Sequence, residues 1–579
     1  MKLRFDIPRF LLFISIIIQS SCNSMKYAEL VLINGKIITV NKEFSVCEGV
    51  AISGNKIIAT GTSSEIKKLS GQHTRIIDLH GKSVIPGLID AHLHPESSSV
   101  SELDDEIPDL HSMDQLLNWI RKRTEIKPPG TWIIFPKFFP TRLIEMRQPT
   151  LAELDSIAPD HPVFLNGSFG GMINSRAMFI SGIDSKTENA GVIKDNLTGL
   201  PSGFIRSSAF ELLKIPKQRV LTSLEKEDSL REMLQRYNRY GLTSLISGVG
   251  DTESVKMYRD MAERKILTAR ICQNILLPSI GRITKESVTE KIKQYPWISG
   301  EGDEWVRIGS LKVFLDGGIL TGTAWMNEPW GVNAVNIFGI EDPAYRGVVN
   351  FTREELKIIA SLANEFGWSF TAHATGEASV DLLLDVYSEV NRQKTIKNKR
   401  FSIIHGNFFS DEAIAKMAEL GVYANLQPAW FYKDSEAMEL ILGSDKVKIF
   451  HPYRKMTDGG VLINGGSDHM VKLDANASIN PYNPFLAMWA MVTRKTERGN
   501  IIIPSEALAR EEALKSYTIN NAFATFEESI KGSIEPGKLA DLAILNYDLL
   551  TCPADSIKEI RSLMTILDGK IIYTSTDPF

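Results

Sequence analysis

Two histidines, His92 and His94, close the apolar run Ser83-Val-Ile-Pro-Gly-Leu-Ile-Asp-Ala-His-Leu-His-Pro95. On an extended strand, residues two apart point to the same side, about 6–7 Å apart along the chain. Two imidazoles so placed can grip one cation, although a lone His-x-His fits two satisfied histidines beside a turn equally well. The rest of the polar inventory shifts that balance. Among only ten histidines, His373 and His405 also end short apolar runs, Trp368-Ser-Phe-Thr-Ala-His and Phe401-Ser-Ile-Ile-His. Lys312 lies within Val306-Arg-Ile-Gly-Ser-Leu-Lys-Val-Phe-Leu-Asp-Gly, and Asp468 ends Val461-Leu-Ile-Asn-Gly-Gly-Ser-Asp. Zinc and related divalent ions take neutral imidazole and carboxylate ligands, and a catalytic site keeps a position for water. Four histidines and an aspartate could hold one or two ions. Lys312 is the odd member, because an ammonium cannot bind a cation. Burial beside positive charge lowers its basicity, and a neutral amine can add CO₂ to give a carbamate with two oxygens. The alternative is a strand lysine paired with a carboxylate.

The elements that must carry these groups are short apolar runs alternating with helical stretches, the signature of a parallel α/β fold. Eight candidate strands span residues 85–92, 241–247, 268–273, 308–314, 368–373, 401–405, 422–426 and 461–464. Eight suggests a (β/α)₈ TIM barrel over residues 85–531, with its active site at the carboxyl ends of the strands. His94, His373, His405 and Asp468 fall at or just past such ends, and Lys312 falls inside its strand. The gap from His94 to Gly241 is too long for one βα unit. It predicts an inserted subdomain after strand 1, residues 97–238, with helical spacing at 116–123 and 223–240. Both chain ends are strand-rich. Asn34-Gly35, Gly54-Asn55 and Asp568-Gly569 each separate two β runs and predict hairpins. Residues 25–84 and 532–579 are each too short for a comfortable core, so pairing them into one composite β-sandwich domain is expected.

The ordered set His-x-His, Lys, His, His, Asp resembles the amidohydrolase superfamily of metal-dependent hydrolases, and within it the N-substituted formamide deformylases. Its markers are Ile85-Pro-Gly-Leu-Ile-Asp-Ala-His-Leu-His, Lys312-Val-Phe-Leu-Asp-Gly, His373-Ala-Thr-Gly-Glu-Ala, Gly466-Ser-Asp and Gly532-Ser-Ile-Glu-Pro-Gly-Lys-Leu-Ala-Asp-Leu. The resemblance runs from about residue 28 to 573. It implies the composite β domain, the insertion (with Asn174-Ser-Arg-Ala-Met as its Asn-Ser motif) and carboxylation of Lys312. The sequence departs from the pattern in several places. A histidine often found before the Asn-Ser motif is absent, Ile404 precedes His405 where many relatives carry Glu, and Gly376-Glu377-Ala378 replaces Gly-Asp-Ala. The second strand ends Ile246-Ser247-Gly248 without the usual His-Asp.

The expected cofactor is a pair of divalent ions, zinc first with manganese or iron as alternatives. His92, His94 and Asp468 would hold one, His373 and His405 the other, with carboxylated Lys312 as bridging ligand. Metal-activated water would attack a carbonyl, and Asp468 would take its proton and deliver it to the leaving nitrogen. The expected function is hydrolysis of a C–N bond in an amide, formamide or cyclic amide. The alternatives are an ester, lactone or phosphoester hydrolase on the same site, or a catalytically silent, lipid-anchored binding protein. Trp325, Trp330, Gln427, Trp430, Arg454 and His469 fall on predicted loops or strand ends near the barrel mouth and are candidate substrate contacts.

The 579-residue chain, 43% hydrophobic and 23% charged, reads as globular. A net charge of −5 gives no electrostatic case for nucleic acid or anionic lipid, so a small-molecule substrate is the expected partner, and a homodimer is plausible. Lys2, Arg4 and Arg9 precede the apolar run Phe10–Ile18 and then Gln19-Ser-Ser-Cys22. That run is too short for a permanent span and suits an export signal over residues 1–24. Cys22 is a candidate lipidation site, although Gln19 replaces the usual aliphatic residue. The expected location is exported, either periplasmic or as a membrane-anchored bacterial lipoprotein. Cys47, Cys272 and Cys552 make neither a disulfide framework nor a Cys-x-x-Cys pair.

Overall fold

Eight parallel strands follow one another in chain order through a single sheet: β1 (Leu88–Leu93), β2 (Leu242–Gly250), β3 (Arg270–Leu276), β4 (Val306–Phe314), β5 (Phe370–Ala374), β6 (Ser402–His405), β7 (Tyr423–Leu426) and β8 (Ile463–Gly465). This is the expected TIM-barrel architecture with an additional sheet domain. The computed structural model describes residues 27–217, 219–277, 281–331, 333–340 and 342–576. The expected leader, residues 1–24 with Cys22, lies outside the described residues. β1, β5, β6, β7 and β8 are buried on both faces, as strands of a sheet covered by helices must be. The helix Arg353–Glu365 shows why the intervening segments are helical. Leu356, Ile359, Ala360 and Ala363 recur at i, i+3, i+4 and i+7 and are buried, while Thr352 and Glu355 form a reciprocal cap at its start.

The ends of this sheet meet through loop atoms. The Asp468 amide donates to the His92 carbonyl at 2.6 Å, and the His94 amide donates to His469 O at 2.8 Å. Asn521 Nδ2 donates to both Ile89 O and Gly465 O, tying β1 to β8.

Strands from both chain ends share one six-stranded sheet, ordered Lys570–Thr574, Ser562–Leu567, Leu542–Leu545, Ser83–Pro86, Lys36–Ile38 and Val46–Cys47. A four-stranded sheet that includes Ala28–Ile33 packs on it through Leu32, Ile52, Val84, Ile544 and Ile566. The apolar run before His92 is therefore two strands. Ser83–Pro86 belongs to the six-stranded sheet and Leu88–Leu93 to the barrel. Gly87 lies between them, where a Cβ would sit 2.2 Å from Thr243 Oγ1. Asn34-Gly35 does not close a hairpin: its flanking strands belong to different sheets, and the chain crosses between them with Gly35 pressed on Leu79. Gly54-Asn55 and Asp568-Gly569 do close antiparallel pairs.

Between β1 and β2 the chain builds a separate five-stranded sheet: Val192–Lys194, Pro201–Arg206, Gly170–Ile173, Val163–Asn166 and Ile133–Phe135. Helix Ser223–Asn238, expected within the insertion, instead puts Leu230, Met233, Leu234 and Tyr237 into the barrel core.

The barrel and the composite domain are joined by a buried ion pair. Arg270, at the start of β3, meets Asp541 through Nε at 2.7 Å and through a second nitrogen at 3.0 Å, with Asp568 at 3.3 Å. Removing one partner of a buried pair leaves a charge uncompensated. Asp541→Ala is expected to lower unfolding free energy by about 3–5 kcal/mol in denaturant titrations. A loss below about 1 kcal/mol would mean that Asp568 alone satisfies the guanidinium.

Candidate metal centre

The residues at the strand ends converge. His92 lies within β1 and His94 just beyond it, Lys312 is within β4, His373 within β5, His405 ends β6, and Asp468 follows β8. His94 Nε2 lies 3.1 Å and His92 Nε2 3.5 Å from Asp468 Oδ1. Ligand atoms of these three residues all fall within 4.8 Å of one another. Lys312 Nζ is 3.4 Å from His92 Nε2. The rings of His373 and His405 are 4.6 Å apart, and His405 is 5.3 Å from His92. His405 and Asp468 both take positive φ, +76° and +53°, which turns their side chains inward at the strand ends.

Neighbours fix the orientation of two of the rings. His373 Nε2 donates to Gly317 O at 3.0 Å, leaving Nδ1 unprotonated. His405 Nδ1 donates to Gln427 Oε1 at 2.8 Å, leaving Nε2 unprotonated, and its ring stacks on Trp430 at 4.7 Å. Asp90 accepts from the amides of His92 and Ser467, binding β1 to the loop that bears Asp468. Asp316 accepts from the amides of Thr375, Gly376 and Trp325, which anchors the turn after His373.

Burial dictates the protonation pattern. It pushes His405 down to about 4 and holds His92 and His373 well below the ordinary imidazole value. It brings Lys312 down to about 7, against the opposing pull of Asp468. For Asp468 burial works against ionisation, but the His94 hydrogen bond and the positive charge potential of His405, His94 and Lys312 outweigh it, and its pKa falls. Neutral imidazoles, an ionised carboxylate and an amine that can lose its proton face one another with few protons among them. That donor set fits a divalent cation.

The amidohydrolase family model matches residues 75–573. The chain belongs to that family. It is accordingly a hydrolase of carbon–nitrogen bonds other than peptide bonds. It is 28% identical over 566 residues to the N-substituted formamide deformylase of Arthrobacter pascens, covering 95% of this chain and 99% of that one. It is 27% identical over 578 residues to protein LONG AFTER FAR-RED 3 of Arabidopsis thaliana, covering 94% and 92%. Among solved structures, a metal-dependent hydrolase from Pyrococcus horikoshii OT3 shares its fold with a TM-score of 0.66 at 24% identity, over 91% of this chain and 99% of that one.

The amidohydrolase encloses a cavity of about 480 Å³ at the carboxyl ends of the strands, lined by all six candidate ligands. Of the candidate substrate contacts only Trp430 lines it. Gln427 acts behind His405. Trp325 contributes its backbone, which packs on Gly376 and donates to Asp316. Trp330 is a core residue whose Nε1 donates to Ala324 O at 3.0 Å. Arg454 is turned away into ion pairs with Glu512 and Asp458. Both ring nitrogens of His469 are committed, Nδ1 to the Tyr237 hydroxyl and Nε2 to Lys472 O, so it cannot serve the cavity. Sequence reasoning missed Lys137, Phe139 and Phe169 from the insertion and Asn480 beyond β8, all of which line the cavity. No spacing rule links these distant segments. Only the quoted Leu-Asp-Gly and Ile-Asp-Ala-His motifs could have flagged Asp316 and Asp90.

Partners of a metal-binding histidine typically contribute 10–100-fold to metal affinity. Gln427→Leu is therefore expected to weaken metal binding by about 10–100-fold in chelator competition. Unchanged affinity would remove His405 from the ligand set.

Proposed function

We propose that the protein hydrolyses the C–N bond of small amides, with N-substituted formamides as the first class to test. The observation that carries this reading is the Asp468 carboxylate, 3.1 Å from His94 Nε2 and 3.5 Å from His92 Nε2 in one cavity with Lys312, His373 and His405. The relative from Arthrobacter pascens supports the choice of formamides. His92, His94 and Asp468 would hold one divalent ion, and His373 and His405 a second. Lys312 would bridge them after its neutral amine adds to CO₂ and releases a proton. When bound, such ions acidify water and polarise a carbonyl. Asp468 has the position of the proton carrier. Its Oδ1 faces His94 and its Oδ2 accepts from Asn480 Nδ2 at 3.1 Å, so the carboxylate cannot rotate away. It would take the proton of the attacking water and return it to the nitrogen, which would otherwise leave as a poor amide anion. The apolar stretches of the wall would accept an apolar substituent.

Asp468→Asn keeps an oxygen but loses the base. It is expected to retain much of the metal and lose about 10²–10⁴-fold in kcat. Near-normal turnover with full metal would assign proton transfer to another group. A panel of formamides, N-acyl amino acids and cyclic amides checks the substrate class, and turnover confined to cyclic amides would overturn the choice of formamides. We also propose export with lipidation at Cys22. The wild type should partition into the detergent phase and Cys22→Ala should not: stable anchoring needs more than one acyl chain, and a bacterial lipoprotein carries several. A wild type found wholly in the aqueous phase would leave export without an anchor.

A further inference from the structure

Among the described residues, Lys137 is the one charged residue lining the cavity besides the six candidate ligands. It follows strand Ile133–Phe135 of the insertion, and the next amide, that of Phe138, donates to Asn166 O at 2.7 Å. The hairpin tip beyond Asn166 is pressed onto the barrel. A Cβ on Gly167 would meet Gly170 O at 2.9 Å and the Thr321 side chain at 3.0 Å. Ser168 takes a left-handed φ of +74°, fixed by its amide donating to Asn166 Oδ1 at 2.8 Å. In that position its hydroxyl accepts from Lys137 Nζ. Phe169 then packs on His373 at 5.5 Å. The insertion thus delivers one ammonium group to the cavity, held by the hydroxyl of a residue on a strained and well-tethered turn.

That ammonium has a neutral partner only. Among the described residues no carboxylate lies within ion-pair distance of Lys137, and Asp468, the one acid in the cavity, is engaged by His94 and Asn480. The surrounding walls are Phe139, Phe169, Ile319, Leu320, Trp430 and Met470. A cation partly withdrawn from water among such groups is destabilised unless an anion meets it. Burial accordingly lowers the basicity of Lys137, with Asp468 opposing from a distance.

We propose that Lys137 is a specificity-determining residue that binds a carboxylate on the substrate. The substrate class becomes an amide with an apolar body and a free carboxylate, such as an N-formyl or N-acyl apolar amino acid. The amide part of this statement rests on the proposed function; the carboxylate part rests on Lys137 alone.

The test compares N-formylphenylalanine with N-formylphenylalaninamide on the metal-loaded full chain. The wild type is expected to prefer the carboxylate in kcat/KM. Lys137→Met should reduce that preference by about 10²-fold, mainly through KM, and Lys137→Arg should keep most of it. Lys137→Glu should disfavour the carboxylate further. A wild type without the preference, or a Lys137→Met protein that retains it, overturns the proposal. Calorimetry with 3-phenylpropionate and 3-phenylpropionamide provides a readout independent of turnover. If no amide is hydrolysed, the proposed function falls. A Lys137-dependent preference for phenylpropionate would still sustain the carboxylate site, and its absence would overturn it.

Discussion

The Asp468 amide that donates to the His92 carbonyl closes the barrel and builds the centre at once. β1 and β8 are the two ends of the eight-stranded sheet, and this bond, with its neighbour from His94 to His469, carries the chain from one end to the other. The same bond sets Asp468 Oδ1 against His94 Nε2. Asp90 and Asn521 reinforce the seam from behind by occupying amides and carbonyls that a ladder would otherwise pair. Positive φ at Asp468 is the strain that this double duty entails.

Enclosure does the electrostatic work. The walls that strip water from His92, His373 and His405 keep them neutral without requiring a special partner for each. Lys312, in the same surroundings, is brought close to the point where it carries no charge at neutral pH. Burial opposes ionisation of Asp468, but the hydrogen bond from His94 leads the interactions that outweigh it and lower its pKa. A set of donors with mismatched ordinary pKa values is thereby driven to one common, proton-poor state.

The barrel was legible because its signals are local. All eight strands lie where apolar runs end in turns, and the chemistry-bearing residues other than Lys312 sit at or near those ends. The composite sheet was legible only as an accounting need, since two strand-rich ends each lacked a core. What failed were inferences from residue type to contact. Trp330 and Arg454 were candidates because they fall on loops near the barrel mouth, but each had a nearer partner in the fold. Lys137 and Phe169 went unseen because they reach the centre from another sheet, Phe169 on a hairpin tip that packs against Thr321 and Lys137 from the end of a neighbouring strand. Asn34-Gly35 misled for a related reason. The dipeptide suits a tight turn, and packing against Leu79 used it as a crossing between sheets.

Ser83–Pro86 lies in the middle of the six-stranded sheet, with Leu542–Leu545 on one side and Lys36–Ile38 on the other. On a ribosome the early strands emerge several hundred residues before their late neighbour. At ~5–20 residues per second that interval is roughly 20–90 s. Throughout it, the edge of Ser83–Pro86 that Leu542–Leu545 will cover offers unpaired amides and carbonyls next to β1. Nascent chains therefore carry an open strand edge beside the first two histidines until synthesis is nearly complete, and pairing with the wrong strand is the hazard specific to this topology.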